Sequence, residues 1–151
     1  MRLLLILPLM LIGCAPSIDR NHDGAMSGID PAFNSCYQKF GQQFNMNVSV
    51  SIGFRPQSGL TVGECKTYSD GYKDIEIDPD YWASVDANTQ CELVDHELGH
   101  CIFNRLHSRG LLADGCPASI MYPYVFGDPC FSLHLSEYMQ ELPHAQPGDY
   151  L

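Results

Sequence analysis

Residues 96–100 read His-Glu-Leu-Gly-His. On a helix, two histidines four positions apart project from the same face, so their imidazoles can converge on one ion. Zinc is the ion that such a pair of ring nitrogens suits. Glu97 follows the first histidine, where a carboxylate can reach water on that ion without ligating it. A carboxylate so placed takes a proton from the water as it attacks a carbonyl, which is the chemistry of metal-assisted hydrolysis. Metal binding alone would not need Glu97.

A catalytic zinc site usually takes three protein ligands and leaves a further position for water. His107 is the nearest candidate for the third. If the helix ran on unbroken, His107 would lie about 16 Å along the axis from His96 and could not share its ion. The helix must therefore stop and the chain fold back. Asn104 is the expected helix stop, because asparagine is the non-glycine residue that best tolerates the left-handed conformation of a helix end. Glu137, Glu141 and, less favourably, Asp114 are the alternative third ligands.

His96, Glu97, His100 and His107, followed downstream by Ser119-Ile120-Met121-Tyr122-Pro123, resemble the metzincin metallopeptidases. The pattern of that family is HExxHxxGxxH followed by a methionine turn, here of the matrixin type. The resemblance implies a zinc-dependent endopeptidase with one catalytic zinc on His96, His100 and His107. Glu97 would be general base and then proton donor, and Met121 would support the site from below. A peptide or protein substrate would align as an added strand along residues 60–68 by main-chain pairing.

The chain departs from the pattern in one respect that matters. Phe103 stands where the family has its glycine, and Asn104 comes one residue later, although the step from Asn104 to His107 is the family's. Tyr122 and Tyr124 are expected to be packed aromatics. No propeptide cysteine switch lies between Cys14 and the domain. Two other readings compete: a gluzincin-like peptidase with Glu137 or Glu141 as third ligand, and a non-catalytic zinc-binding lipoprotein of the cell envelope.

The elements that must position these residues are legible in outline. Asp30-Pro31 reads as an N-cap with proline at the first helical position, and a helix through Phe44 puts Phe33, Tyr37, Phe40 and Phe44 on one face. Residues 48–54, 60–68 and 73–78 read as strands, with Gly59 and Ser69-Asp70-Gly71 as turns. Asp78-Pro79 ends the sheet region. A helix from about Asp86 carries the motif, and a last helix is expected over 136–142. The sum is an α+β, zincin- or metzincin-like domain over 30–151: a short twisted sheet packed on an N-terminal helix and the active-site helix, with a C-terminal helix.

With 151 residues the chain holds one small domain, and its formal net charge of −10 argues against a nucleic-acid partner. It also argues against electrostatic attachment to anionic lipid. Residues 1–13 read as a signal peptide: Arg2 and then an apolar run too short to span a bilayer. Leu11-Ile12-Gly13-Cys14 resembles the bacterial lipobox, which implies export, lipidation of Cys14 and anchorage to the cell envelope, with plain secretion as the alternative. Membrane contact would then run through that lipid alone, and the domain is expected to be a monomer. Residues 14–29 are the tether. Within 19–30, Asp19, Asn21, Asp23 and Asp30 fall at the ligand spacing of a calcium-binding EF-hand loop, so calcium is a second candidate ion.

The chain has seven cysteines, and setting Cys14 aside leaves six, an even number that reads as a disulfide framework in an exported domain. Cys91 and Cys101, about 15 Å apart on one helix, cannot pair. Cys101 points about 100° away from His100, which favours structure over ligation. A bond from Cys101 to Cys116 would clip the loop after His107 to the helix, and this pairing is the one expected.

Overall fold

The computed structural model describes residues 27–144. The expected signal peptide over 1–13, Cys14 and the residues Asp19, Asn21 and Asp23 lie outside them. Among the described residues the architecture is α+β, with a three-stranded sheet and four α-helices. Asp30 caps a 3-10 turn, Pro31–Phe33, by accepting from the Ala32 N–H, and α1 (Asn34–Phe44) follows directly. The carboxylate of Asp30 is thus engaged as a cap. Phe33, Cys36 and Phe40 turn one face of this segment into the core, with Tyr37 and Phe44 partly buried beside them. α1 ends at Asn45, which takes the left-handed conformation (φ 50°).

The sheet comprises β1 (Ser51–Phe54), β2 (Gly63–Thr67) and β3 (Lys73–Ile77) in the order β1-β3-β2. β3 is central, parallel to β1 and antiparallel to β2, with Gly63 opposite Ile77 and Cys65 opposite Ile75. Alternation along β3 separates two environments. Ile75 and Ile77 enter the core, while Glu76, also buried, holds Arg55 at 2.5 Å and Lys66 at 2.6 Å. β2 is left as an edge strand lying along the motif helix.

Asp78 does more than end the sheet. It caps α2 (Pro79–Ser84), a short helix the sequence did not announce, and also accepts from the Gln57 N–H. Those backbone donors hold its carboxyl below the usual range. Asp86 caps α3 (Ala87–Phe103) by accepting from Asn88 and Thr89. α4 (Cys130–Glu141) starts earlier than the expected 136–142. Its non-helical kink at His134 interrupts the apolar spacing, so only the second half shows helical periodicity in the sequence.

The expected bond between Cys101 and Cys116 is not formed. Cys101 faces the sheet and pairs with Cys65 of β2, while Cys116 pairs with Cys130 at the start of α4. Cys36 and Cys91 join α1 to α3. The side of α3 that points away from His100 is the side the sheet covers, so the partner of Cys101 is a strand and not the loop after His107. Chain entropy ranks these bonds. Cys36–Cys91 closes a separation of 55 residues and Cys116–Cys130 one of 14, corresponding to about 4 and about 3 kcal/mol. Paired Cys→Ser variants are expected to lose stability in that order in guanidinium titrations, and the reverse order would contradict this account.

Candidate metal centre

α3 presents His96 and His100 one turn apart, and each ring is fixed from behind. His96 Nδ1 lies 2.7 Å from the Ile120 carbonyl, and His100 Nδ1 lies 2.6 Å from the Arg105 carbonyl. A carbonyl only accepts, so both Nδ1 atoms donate and each neutral ring keeps its Nε2 lone pair bare. His100 Nε2 stands 3.1 Å from His96 Nε2 and 3.2 Å from His107 Nε2. His96 and His100 therefore aim unprotonated lone pairs at one another across a hydrogen-bond distance with no hydrogen to share. Such an arrangement suits a cation between them. A proton is a poor candidate, since burial, and next the neighbouring His100, pushes His96 down to about 3. Burial also lowers His100 and His107. Three ring nitrogens at this spacing fit a tetrahedral zinc, whose bonds of about 2.0–2.1 Å set ligand nitrogens about 3.3 Å apart.

His107 reaches the cluster because α3 stops at Phe103. Asn104 adopts the left-handed conformation (φ 51°, ψ 35°) as the C-cap. The two ends of this kind in the molecule differ. After α1, Asn45 N–H bonds Gln42 O and Met46 N–H bonds Gly41 O, spans of three and five residues. After α3, Asn104 N–H and Arg105 N–H both reach Gly99 O, spans of five and six. The end of α3 is thus a wider turn, and that width is where the additional residue between His100 and Asn104 is taken up.

A turn over 119–122, closed by Tyr122 N–H to Ser119 O, completes the back of the site. Its Ile120 carbonyl orients His96, and its Met121 carbonyl accepts from Ser108 N–H beside His107. Met121 is fully buried against α3 at Gly99, where a Cβ would lie 2.5 Å from its Sδ. Gly99 is therefore part of the site, although in sequence it is only a glycine inside a helix. Ser119 Oγ donates to Glu141 Oε2 at 2.9 Å, and buried Arg105 pairs with Glu141 Oε1 at 2.5 Å. Glu141 thus serves this support network. Glu137 is exposed, and neither glutamate joins the three nitrogens. Asp114 pairs with His134 at 2.8 Å, and its neighbour Cys116 has its sulfur committed to the disulfide.

Glu97 lies beside the cluster, buried under β2. Its carboxyl is pushed up to about 8, chiefly by burial and next by Glu64, against the effect of the Cys65 N–H that donates to it. Cavities of about 430 and 440 Å³ open on its two sides, and Gly63, Glu97 and His107 line both. The first is walled mainly by apolar and aromatic side chains, among them Leu60, Tyr81, Leu93 and Val125. Tyr124 borders it too and is 62% exposed, not packed away as expected from sequence. Tyr81 escapes the sequence reading because nothing local ties it to the motif, whereas Leu60 belongs to the stretch 60–68 expected along the substrate.

Gly99→Ala is expected to destabilise the protein by about 1–3 kcal/mol through overpacking against Met121. Equilibrium unfolding measures it, and an unchanged midpoint would refute the close contact.

Residues 56–118 match the model of a family described as "Putative phage metallopeptidase". The match covers less than half of the chain and takes in His96, Glu97, His100 and His107 but not Met121. No curated protein and no solved structure matches the chain. The similarity supports a metallopeptidase, a hydrolase with a metal cofactor that acts on peptides or proteins.

Proposed function

We propose that the chain is a zinc-dependent endopeptidase of the metzincin type, carried on the cell envelope by a lipid at Cys14. The observation that carries this reading is the convergence of three histidine nitrogens, 3.1 and 3.2 Å apart, beside the buried carboxylate of Glu97. His96, His100 and His107 would hold the ion. When bound, zinc supplies a Lewis acid that polarises the scissile carbonyl and acidifies the attacking water. Glu97 accepts the proton of that water on its carboxylate and returns it to the departing amine. Burial raises the Glu97 carboxyl, and a cation held by the three histidines would lower it again toward the carboxylate form that takes a proton.

β2 supports the endopeptidase part of the proposal. As an edge strand it offers main-chain groups to an extended peptide, and the cavities on both sides of Glu97 leave room for the chain to continue in each direction. A site closed at one end would favour trimming of termini instead. Met121 supports the site from below, through Gly99 and the Ser108 N–H. Anchorage rests on the lipobox-like Leu11-Ile12-Gly13-Cys14, and among the described residues no helix is long and apolar enough to cross a membrane.

Metal analysis beside hydrolysis of an unstructured protein substrate tests the proposal. Wild type is expected to hold one zinc and to cleave internally. Glu97→Ala should keep the zinc and lose about a hundredfold or more in activity. His107→Ala should lose both zinc and activity, and Glu137→Ala neither. Full zinc and full activity in His107→Ala would defeat the ligand assignment, and activity surviving in Glu97→Ala would defeat the base. For the anchor, Cys14→Ser is expected to abolish incorporation of labelled fatty acid and release the protein from the membrane fraction. Label retained in that variant would refute lipidation at Cys14.

A further inference from the structure

Gly63 opens β2, the edge strand that packs along α3. A Cβ built there would lie 2.7 Å from Glu97 Oε1, 3.1 Å from Glu97 Cδ and 2.9 Å from Leu93 Cδ1. Two of these separations are shorter than any ordinary Cβ contact. Gly63 is not among the residues with positive φ, so its backbone conformation is one that any residue adopts. A side chain here would have to displace the Glu97 carboxylate and the tip of Leu93, so glycine leaves the space that the carboxylate occupies. Two residues along, the Cys65 N–H donates to the same carboxylate, and the Cys65 sulfur is bonded to Cys101 of α3. β2 cannot retreat to admit a side chain: Gly63 is paired with Ile77 on one side, and the disulfide ties the strand to α3 on the other. Leu93, by contrast, meets the position with only the tip of a flexible side chain.

We infer that Gly63 is a positioning residue for the reaction: its missing side chain lets the β2 backbone close over Glu97 and hold the carboxylate between the Cys65 N–H and the three histidines. The inference deepens the reading of Glu97 as general base and rests on it. A methyl group at position 63 moves the carboxylate, because neither neighbour of β2 yields, and the displaced group loses both its backbone donor and its aim. A misplacement of this kind acts on the chemical step more than on the binding of an extended peptide. It also couples residue 63 to Glu97 in the stability of the fold, whether or not a substrate is present.

The full-length chain is compared with Gly63→Ala, Glu97→Ala and the double variant. Gly63→Ala is expected to lower Tm by at least about 3 °C more in the wild-type background than in Glu97→Ala, where two of the three crowding atoms are gone. Amide hydrogen exchange at Cys65 should speed up about tenfold in each single variant, with the amides that β2 shares with β3 unchanged. The zinc content of Gly63→Ala should match wild type, while kcat falls about tenfold or more and KM stays within about twofold. Additive Tm changes, an unaltered Cys65 amide, or a loss expressed in KM alone would each overturn the inference. If Gly63→Ala alone does not fold, recovery of folding in the double variant is the same coupling, and failure of both overturns it. If wild type cleaves no peptide, the endopeptidase reading falls, while Tm coupling and Cys65 exchange still decide whether Gly63 positions Glu97.

Discussion

Two imidazole lone pairs facing each other at 3.1 Å govern the design of this domain. The rings of His96 and His100 are turned so that neither can place a proton between them, because the Ile120 and Arg105 carbonyls claim both Nδ1 hydrogens. Each of those carbonyls comes from a different return of the chain. One is the turn over 119–122, and the other is the segment just beyond Asn104. The groups that orient metal-binding histidines commonly matter almost as much as the ligands. Here they also link the ends of the site: Arg105 lends its carbonyl to His100 and its guanidinium to Glu141, which accepts from Ser119 at the head of the turn that holds His96. The histidines are therefore braced by one connected polar network.

That network explains how an additional residue after His100 is tolerated. A helix end built like that of α1 would release the chain after a tight left-handed cap. The wider end of α3 carries Asn104 and Arg105 over a single carbonyl, that of Gly99, before the chain turns toward the metal position. Arg105 is then buried with three acceptors from α4 and its end, the Glu141 carboxylate and the carbonyls of Glu141 and Leu142. Stripping a partner from such a buried pair typically costs about 3–5 kcal/mol. The irregular turn is thus held by its contacts with α4 and not by local propensity.

The contrast between legible and hidden features follows from range. Asp30 and Asp86 cap the segments they precede through bonds to backbone two or three residues on, so sequence shows those starts plainly. The three strands alternate, and the turn residues between them are local too. What sequence did not show depends on partners far along the chain. Cys101 finds Cys65 only because β2 crosses the back of α3. Gly63 and Gly99 read as unremarkable glycines until Glu97 and Met121 are placed against them. The first half of α4 is hidden in sequence because its kink at His134 breaks the helical period, and α2 is hidden because six residues carry too little pattern. At the site, the ligand spacing was legible, whereas the donors and glycines that fix its geometry were not.

The motif helix is unusual in what it buries. Glu92, Asp95 and Glu97 are all inside, buried alongside the apolar Leu93, Val94 and Leu98. Glu92 is satisfied by the N–H groups of Phe126 and Gly127, yet burial still pushes it up to about 7. Asp95 Oδ1 is buried without a hydrogen-bond partner. Burying such groups opposes folding by amounts of order 1–3 kcal/mol each, so this helix would be the weakest element of the core if packing alone held it. It is instead crosslinked on both sides of the motif, to α1 through Cys91 and to β2 through Cys101. A crosslink closing a loop of this length contributes about 3–4 kcal/mol, which is the scale needed to offset one or two buried carboxyls. Placing the bonds at Cys91 and Cys101 leaves the five residues from His96 to His100 between two fixed points. The disulfides thus serve the site as directly as the fold: they stabilise the helix that buries three carboxyls among the apolar Leu93, Val94 and Leu98.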